Sequence, residues 1–154
     1  MKAIITVGIS ASGKTTWAEK FAFENNGFVL SRDNVRIMIL ENIHGRMIEA
    51  SELWKLWNFK WEKEVNAWYT EILAGAIEAK EYDYIILADT NLNKQRRDNM
   101  VAVLENMYDM PTEIKVFDIG LLEAIDRDKW RPASVGEAVI TRQWKDYQNF
   151  LNGK

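Results

Sequence analysis

At 154 residues, with 47% hydrophobic and 28% charged side chains, the chain has the size and balance of one ordinary domain with a real core, which excludes a disordered or membrane-spanning protein. A net charge of −3 excludes a protein that coats nucleic acid by bulk attraction, so any contact with a strand must be local. With no cysteine and one histidine, disulfides, thiol chemistry, thiolate zinc sites and histidine metal clusters are excluded, and the cytosol (cytoplasmic localisation) is the default compartment.

Apolar runs alternate with longer amphipathic ones, the pattern of an α/β domain with a parallel sheet. The run AIITV (3–7) reads as the first strand; it reaches Gly8 with no cleavage site behind a long apolar region, so it is not a signal peptide. Residues 14–25 read as a helix with Trp17, Ala18, Phe21 and Ala22 on one face, and NNG (25–27) suits a left-handed turn at its end. FVLS (28–31) is a short second strand, followed by a helix from Arg32 to about His44, a break near Gly45, and one long helical stretch over 51–80. Within that stretch Trp54, Trp57, Trp61 and Trp68 recur at spacings of three, four and seven. Such rings can stack on bases. Leu53, Trp57, Val65, Trp68 and Ile72, however, fall near one helical face, so the expectation is a stripe covering the sheet with one tryptophan exposed near a cleft. YIILAD (84–89) is the clearest buried strand, residues 93–108 form another helix, and Pro111 separates it from a last strand, EIKVFDI (113–119). The remainder, 120–154, reads as a helix, a loop around KWRPASVG and a closing amphipathic helix. No repeat, low-complexity tract, linker or membrane span interrupts this order, and one domain over 1–154 is expected.

The most informative segment is GISASGKT (8–15), which matches G-x-x-x-x-G-K-[ST] between a strand and a helix, where its chemistry needs to be. Gly8 and Gly13 permit the tight turn that aims backbone N–H groups at phosphate oxygens, so Ser10, Ala11, Ser12, Gly13, Lys14, Thr15 and Thr16 form a cradle completed by the helix dipole. Lys14 then reaches the outer phosphates, and the Thr15 hydroxyl ligates Mg²⁺, with Asp33 or Asp89 supporting the ion through water. ATP and magnesium are the expected cofactors. The loop by itself leaves kinase, ATPase and GTPase open.

SRDNVR (31–36) places Asp33 and Arg36 three apart at a helix start, beyond the carboxyl end of a strand where ligands of open α/β sheets bind. Either they accept a hydroxyl proton and clamp a phosphate, or Asp33 serves only the helix dipole and Arg36 is solvated surface. Asp89, Thr90 and Asn91 end the buried strand. Asp89 supports Mg²⁺ through water or holds Arg36 in position; otherwise this is an ordinary turn in which Asn93 caps the next helix. In DRDKWRP (126–132), Arg127, Lys129 and Arg131 either close over ATP as a lid, bringing an arginine to the transferring phosphoryl group, or form a solvated face. His44, near a helix end, is read as structural.

Taken together, GISASGKTTWA, SRDNVR, ADTNLNKQRR, KVFD and the R-x-x-x-R of Arg127 and Arg131 resemble, in order and spacing, the kinase domain of the 5′-hydroxyl polynucleotide kinases of tailed phages. The resemblance implies a three-layer α/β/α P-loop kinase fold with a short, mostly parallel central sheet and a helical lid region. It implies transfer of the γ-phosphate of ATP to the 5′-hydroxyl of DNA or RNA ends. By the same resemblance Lys14 and Thr15 hold ATP and Mg²⁺, Asp33 is the general base, and Arg36 binds the phosphate 3′ of the acceptor nucleotide. Asp89 and Thr90 support the acceptor site, and Arg131, with Arg127 as the alternative, is the lid arginine. The chain departs from the family pattern at Ser31, where asparagine is common, and at Pro132, where glycine is common. The D-x-D-G-T segment of the 3′-phosphatase often fused to such kinases does not occur, so phosphorylation without 3′ healing is expected. Two other readings stay open: a small-molecule kinase acting on a nucleoside, sugar or antibiotic hydroxyl, and a nucleotide-dependent switch that hydrolyses ATP slowly.

Overall fold

The computed structural model describes residues 1–154. Its sheet has four strands, β1 (Lys2–Val7), β2 (Gly27–Leu30), β3 (Tyr84–Leu87) and β4 (Thr112–Val116), in the order β2-β3-β1-β4. Every neighbouring pair is parallel, so the sheet expected to be mostly parallel is wholly so. Seven helices complete three layers: α1 (Lys14–Asn25), α2 (Arg32–His44), α3 (Leu53–Leu56), α4 (Glu62–Ala79), α5 (Lys94–Ala102), α6 (Leu121–Asp128) and α7 (Glu137–Leu151). No helix is long and apolar enough to cross a membrane.

The two-residue period of the strands divides the core. Ala3 and Ile5 of β1 and their partners Ile85 and Leu87 of β3 face a large cluster with Val35, Ile39, Leu40, Val65 and Leu73. Ile4 and Ile86 face the other way, onto Ala18, Trp17 and Phe21 of α1. A third cluster, Ile9, Ile119, Ala124, Ile140 and Tyr147, fastens α6 and α7 beside the β1–α1 loop. Both central strands, β3 and β1, thus deliver their carboxyl ends to one crevice, the position at which open parallel sheets bind ligands.

The continuous helix expected over 51–80 is broken. A 3-10 turn (Ala50–Glu52) leads into α3, which stops at Trp57 with φ −73° and ψ 135°; a second turn (Phe59–Trp61) precedes α4. The Asn58 side chain accepts the Lys60 N–H at 3.0 Å, a local bond that competes with helix continuation. The break lets Leu53, Trp57 and Val65 all enter the core, at 0, 7 and 0% exposure, while Phe59 turns outward. Elsewhere the boundaries move slightly. Ser31 leaves the second strand to cap α2, its Oγ accepting the Asn34 N–H at 3.1 Å. The helix over 93–108 loosens into a π turn at Val103–Met107, and within the expected NNG turn it is Asn26 that takes the left-handed cap of α1.

Candidate active site

The β1–α1 loop is built for close approach. A Cβ on Gly8 would lie 2.8 Å from the Phe117 carbonyl oxygen and 3.0 Å from Ser12 Oγ. Ala11 and Gly13 have φ of 64° and 95°, left-handed positions that turn successive N–H groups inward as an anion-binding nest. The N–H groups of Ala11, Ser12, Gly13, Lys14, Thr15 and Thr16 make no hydrogen bond to the chain. Ser10 does not join them, contrary to the sequence expectation: its N–H donates to Gln143 Oε1 of α7 at 2.8 Å, while the Gly8 N–H donates to the Thr90 carbonyl at 3.1 Å.

Lys14 is buried, with Nζ donating to the Ile9 carbonyl at 2.5 Å and to Ser12 Oγ at 3.3 Å. Burial, then the positive charge of Arg131, lower its pKa to about 7 against the pull of Asp89 and Asp33. Asp33, Asp89 and Arg131, from three separate segments, thus all act electrostatically on this one ammonium. Thr15 and Thr16 lie exposed in the first turn of α1. No cluster of three or more Asp, Glu, His or Cys side chains here holds a metal unaided. The donor set at Thr15 therefore fits an ion whose remaining ligands are phosphate oxygens and water.

Beyond the end of β2, which β3 separates from β1, Arg36 of α2 is not solvated surface. Its side chain is 13% exposed, its Nη1 donates to Asp33 at 2.6 Å, and its Nε and Nη2 grip Glu62 of α4 bidentately at 3.1 and 2.7 Å. The guanidinium also lies 5.3 Å from the Trp54 ring centroid and 5.9 Å from that of Trp57. Three of its five N–H donors are used, leaving two for an anion. Arg36 holds the Glu62 carboxyl below the usual range, aided by the nearby Trp57 indole, which completes no hydrogen bond of ordinary geometry.

Asp89 does not hold Arg36, one of the roles considered for it. Its Oδ1 accepts the Arg32 N–H at 2.8 Å. Burial pushes its pKa up to about 6, partly offset by the Arg32 N–H and charge. The buried Tyr69 phenol faces it and is pushed upward by burial and by Asp89. Thr6 and Asn91 tie this strand end to β1 through bonds of 2.8 Å, and Thr90 contributes its carbonyl to Gly8. Asn93 caps α5 as the turn reading anticipated, accepting the Arg96 N–H at 2.9 Å.

The segment expected to form a lid divides its two arginines. Arg127 pairs with Glu123 one helical turn away at 2.6 Å, both more than half exposed, so the structure does not bring it to the loop. Arg131 lies by Asp128, 3.4 Å from Oδ1, and its charge reaches Lys14. Asp128 is 2% exposed and closes the lid on itself, accepting from Ser134 Oγ at 2.7 Å and from the Val135 and Gly136 N–H groups at 3.1 and 2.9 Å. Burial would raise its pKa, but these bonds and Arg131 outweigh burial and leave it lowered. His44 is the exposed last residue of α2. Glu62, Gln143, Tyr69 and Asp128 were absent from the sequence reading; only Asp128 lies within a segment that the reading singled out.

A family model for the AAA domain matches residues 4–152. The chain belongs to the AAA domain family. Among solved structures, this AAA domain superposes on a chain of the Pnkp1/Rnl/Hen1 RNA repair complex with a TM-score of 0.73 and 23% identity, covering 99% of this chain and 46% of that one. A chain of the Pnkp1/Rnl/Hen1 complex gives 0.63 at 24% identity, with 82% and 38% covered. A gluconokinase from Sinorhizobium meliloti 1021 gives 0.55 at 14% identity, with 94% and 74% covered. The chain therefore spans less than half the length of the repair-complex chains it matches. Its fold is the three-layer P-loop kinase type, with an all-parallel four-stranded sheet.

Proposed function

We propose that the chain is an ATP-dependent kinase that transfers the γ-phosphoryl group to the 5′-hydroxyl of a nucleic-acid strand. The observation that carries this reading is the Arg36 guanidinium: held by Asp33 and Glu62 in a half-buried three-residue cluster, it keeps two N–H donors unpaired. A kinase acting on a neutral sugar or nucleoside has no use for a second, rigid anion clamp on the acceptor side. The likeness to a chain of an RNA repair complex supports a nucleic-acid acceptor.

The unpaired N–H groups of 11–16 and Lys14 bind the triphosphate, and Arg131, set by Asp128, neutralises charge on the transferring group. Thr15 would hold the magnesium ion that accompanies the triphosphate, which supplies further charge neutralisation. Arg36 positions the acceptor through the phosphate 3′ of its terminal nucleotide. Asp33 has one oxygen on Arg36 and its other oxygen free of protein partners, ready to take the hydroxyl proton.

The test is transfer of labelled γ-phosphate to a 5′-hydroxyl oligonucleotide and to a plain nucleoside, by wild type, Arg36→Ala and Asp33→Asn. Labelling of the oligonucleotide alone, abolished in both variants, is expected. Equal labelling of the nucleoside identifies a small-molecule kinase instead. ATP hydrolysis without transfer to either acceptor, unaffected by Asp33→Asn, identifies a nucleotide-dependent switch.

A further inference from the structure

Two ring contacts lead from the Arg36 guanidinium to solvent. The guanidinium lies 5.3 Å from the Trp54 ring centroid, and Trp54 lies nearly parallel to Phe59, with centroids 6.1 Å apart and 10° between planes. Trp54 is half-buried, and its indole N–H is buried without an acceptor, so packing alone fixes the ring. Phe59 is 72% exposed. It sits on the 3-10 turn that interrupts the helical stretch, where Trp57 takes the inward position and Asn58 caps the turn. Lys55 and Lys60 flank it, both exposed and neither in an ion pair, in a chain whose net charge is −3. A solvent-facing ring stacked on a packed tryptophan, with unpaired cations close in the chain and an anchored arginine on the tryptophan's other contact, has the makings of a single-strand groove, with charge for the backbone and a π-face for a base.

We propose that Phe59, backed by Trp54, is the stacking platform for a nucleobase of the acceptor strand. With Arg36 on the phosphate 3′ of the reacting nucleotide, the next bases of an unstacked strand pass over the Phe59 ring. The acceptor is then a single strand longer than one nucleotide, gripped without regard to base identity because every base offers a π-face. This inference rests on the polynucleotide reading given above.

The test compares wild type, Phe59→Ala, Phe59→Trp and Phe23→Ala, the last removing a still barer phenyl on α1. Three acceptors are used: a short 5′-hydroxyl oligonucleotide, the same strand with abasic sites at every position after the first, and a nucleoside 3′-monophosphate. Loss of one base–aromatic stack corresponds to roughly 5- to 150-fold. Phe59→Ala should therefore raise the oligonucleotide KM about tenfold. It should leave kcat within about twofold and change neither the abasic strand nor the nucleoside 3′-monophosphate, while Phe59→Trp and Phe23→Ala behave as wild type. Equal loss on all three acceptors, or no loss on the oligonucleotide, overturns the platform. Failure of the polynucleotide reading shows separately, as wild type phosphorylating none of the three. Quenching of tryptophan fluorescence by the intact and abasic strands, without ATP, then decides. Binding that prefers the intact strand and needs Phe59 upholds the platform, and binding that is absent or indifferent to Phe59 overturns it.

Discussion

Lys14 ties the chemistry of the loop to the stability of the fold in a way that pH exposes. Its pKa falls from 10.5 to about 7, burial being the largest cause and the Arg131 charge the next. Between those values the unfolded chain binds more protons at this site than the folded one, so stability rises with pH across that window. The contribution is fully present above 10.5 and is lost as pH falls through 7. From pH 7 to pH 9 the lysine alone adds about 2 kcal/mol, which in a domain of this size is a rise of about 4–8 °C in Tm. Lys14→Met keeps the length of the side chain and removes the titration. Urea unfolding of wild type and variant at pH 7, 8 and 9 is the assay, read as the difference between the two so that other titrating groups cancel. The difference should shrink steadily toward pH 9, with Lys14→Met the more stable protein at pH 7 despite losing nucleotide binding. Parallel curves would refute the reasoning, because they would mean that Lys14 is solvated and charged in the fold. A triphosphate supplies the counter-charge that burial withholds, so nucleotide binding at pH 8 should take up protons, measurable by calorimetry in buffers of different ionisation enthalpy.

Glu62→Gln removes the bidentate partner of Arg36 and should lower kcat/KM for an oligonucleotide about tenfold, as expected for a charge-assisted bond at a partly exposed site; nucleotide affinity by fluorescence titration should not move. In Gly8→Ala the new methyl meets the Phe117 carbonyl at 2.8 Å, a backbone atom that cannot swing aside. Stability should fall by about 1–3 kcal/mol in urea melts, and nucleotide binding should weaken with it. Arg131→Ala should cut kcat about 100-fold. Arg127→Ala should stay within about twofold, since an exposed i,i+4 pair contributes little; equal losses in steady-state kinetics would contradict the division of the lid.

The features legible in the sequence are those carried by neighbouring residues. Gly8 and Gly13 set the backbone of the loop, Lys14 and Thr15 follow them in register, and Ser31 starts α2 so that Asp33 and Arg36 share a face. The apolar runs likewise announced β1 and β3 as strands, whereas which of their residues face α1 and which face the larger cluster emerged only from packing. The helical period failed at Trp57, because a three- and four-residue spacing of apolar residues continues across the break. The bond that ends the helix there is a single Asn58 cap.

Pairings between distant elements left no trace in any local stretch. Glu62 meets Arg36 across 26 residues and Gln143 meets Ser10 across 133, and either contact exists only once α4 and α7 have docked on the sheet. The different settings of Arg131 and Arg127 follow from the same docking, since Asp128 gathers Arg131 and the 134–136 turn while Arg127 pairs with Glu123 along α6. The sequence by itself determined the G-x-x-x-x-G-K-T loop, the α/β alternation and the residue types at the start of α2, because each is a property of local backbone and periodicity. Tertiary structure alone decided which charges face each other, how far Lys14 is dried, and that within 51–80 the exposed ring is Phe59 and not one of the four tryptophans. Burial and Coulombic partners are properties of the packed chain, and no window of contiguous residues contains them.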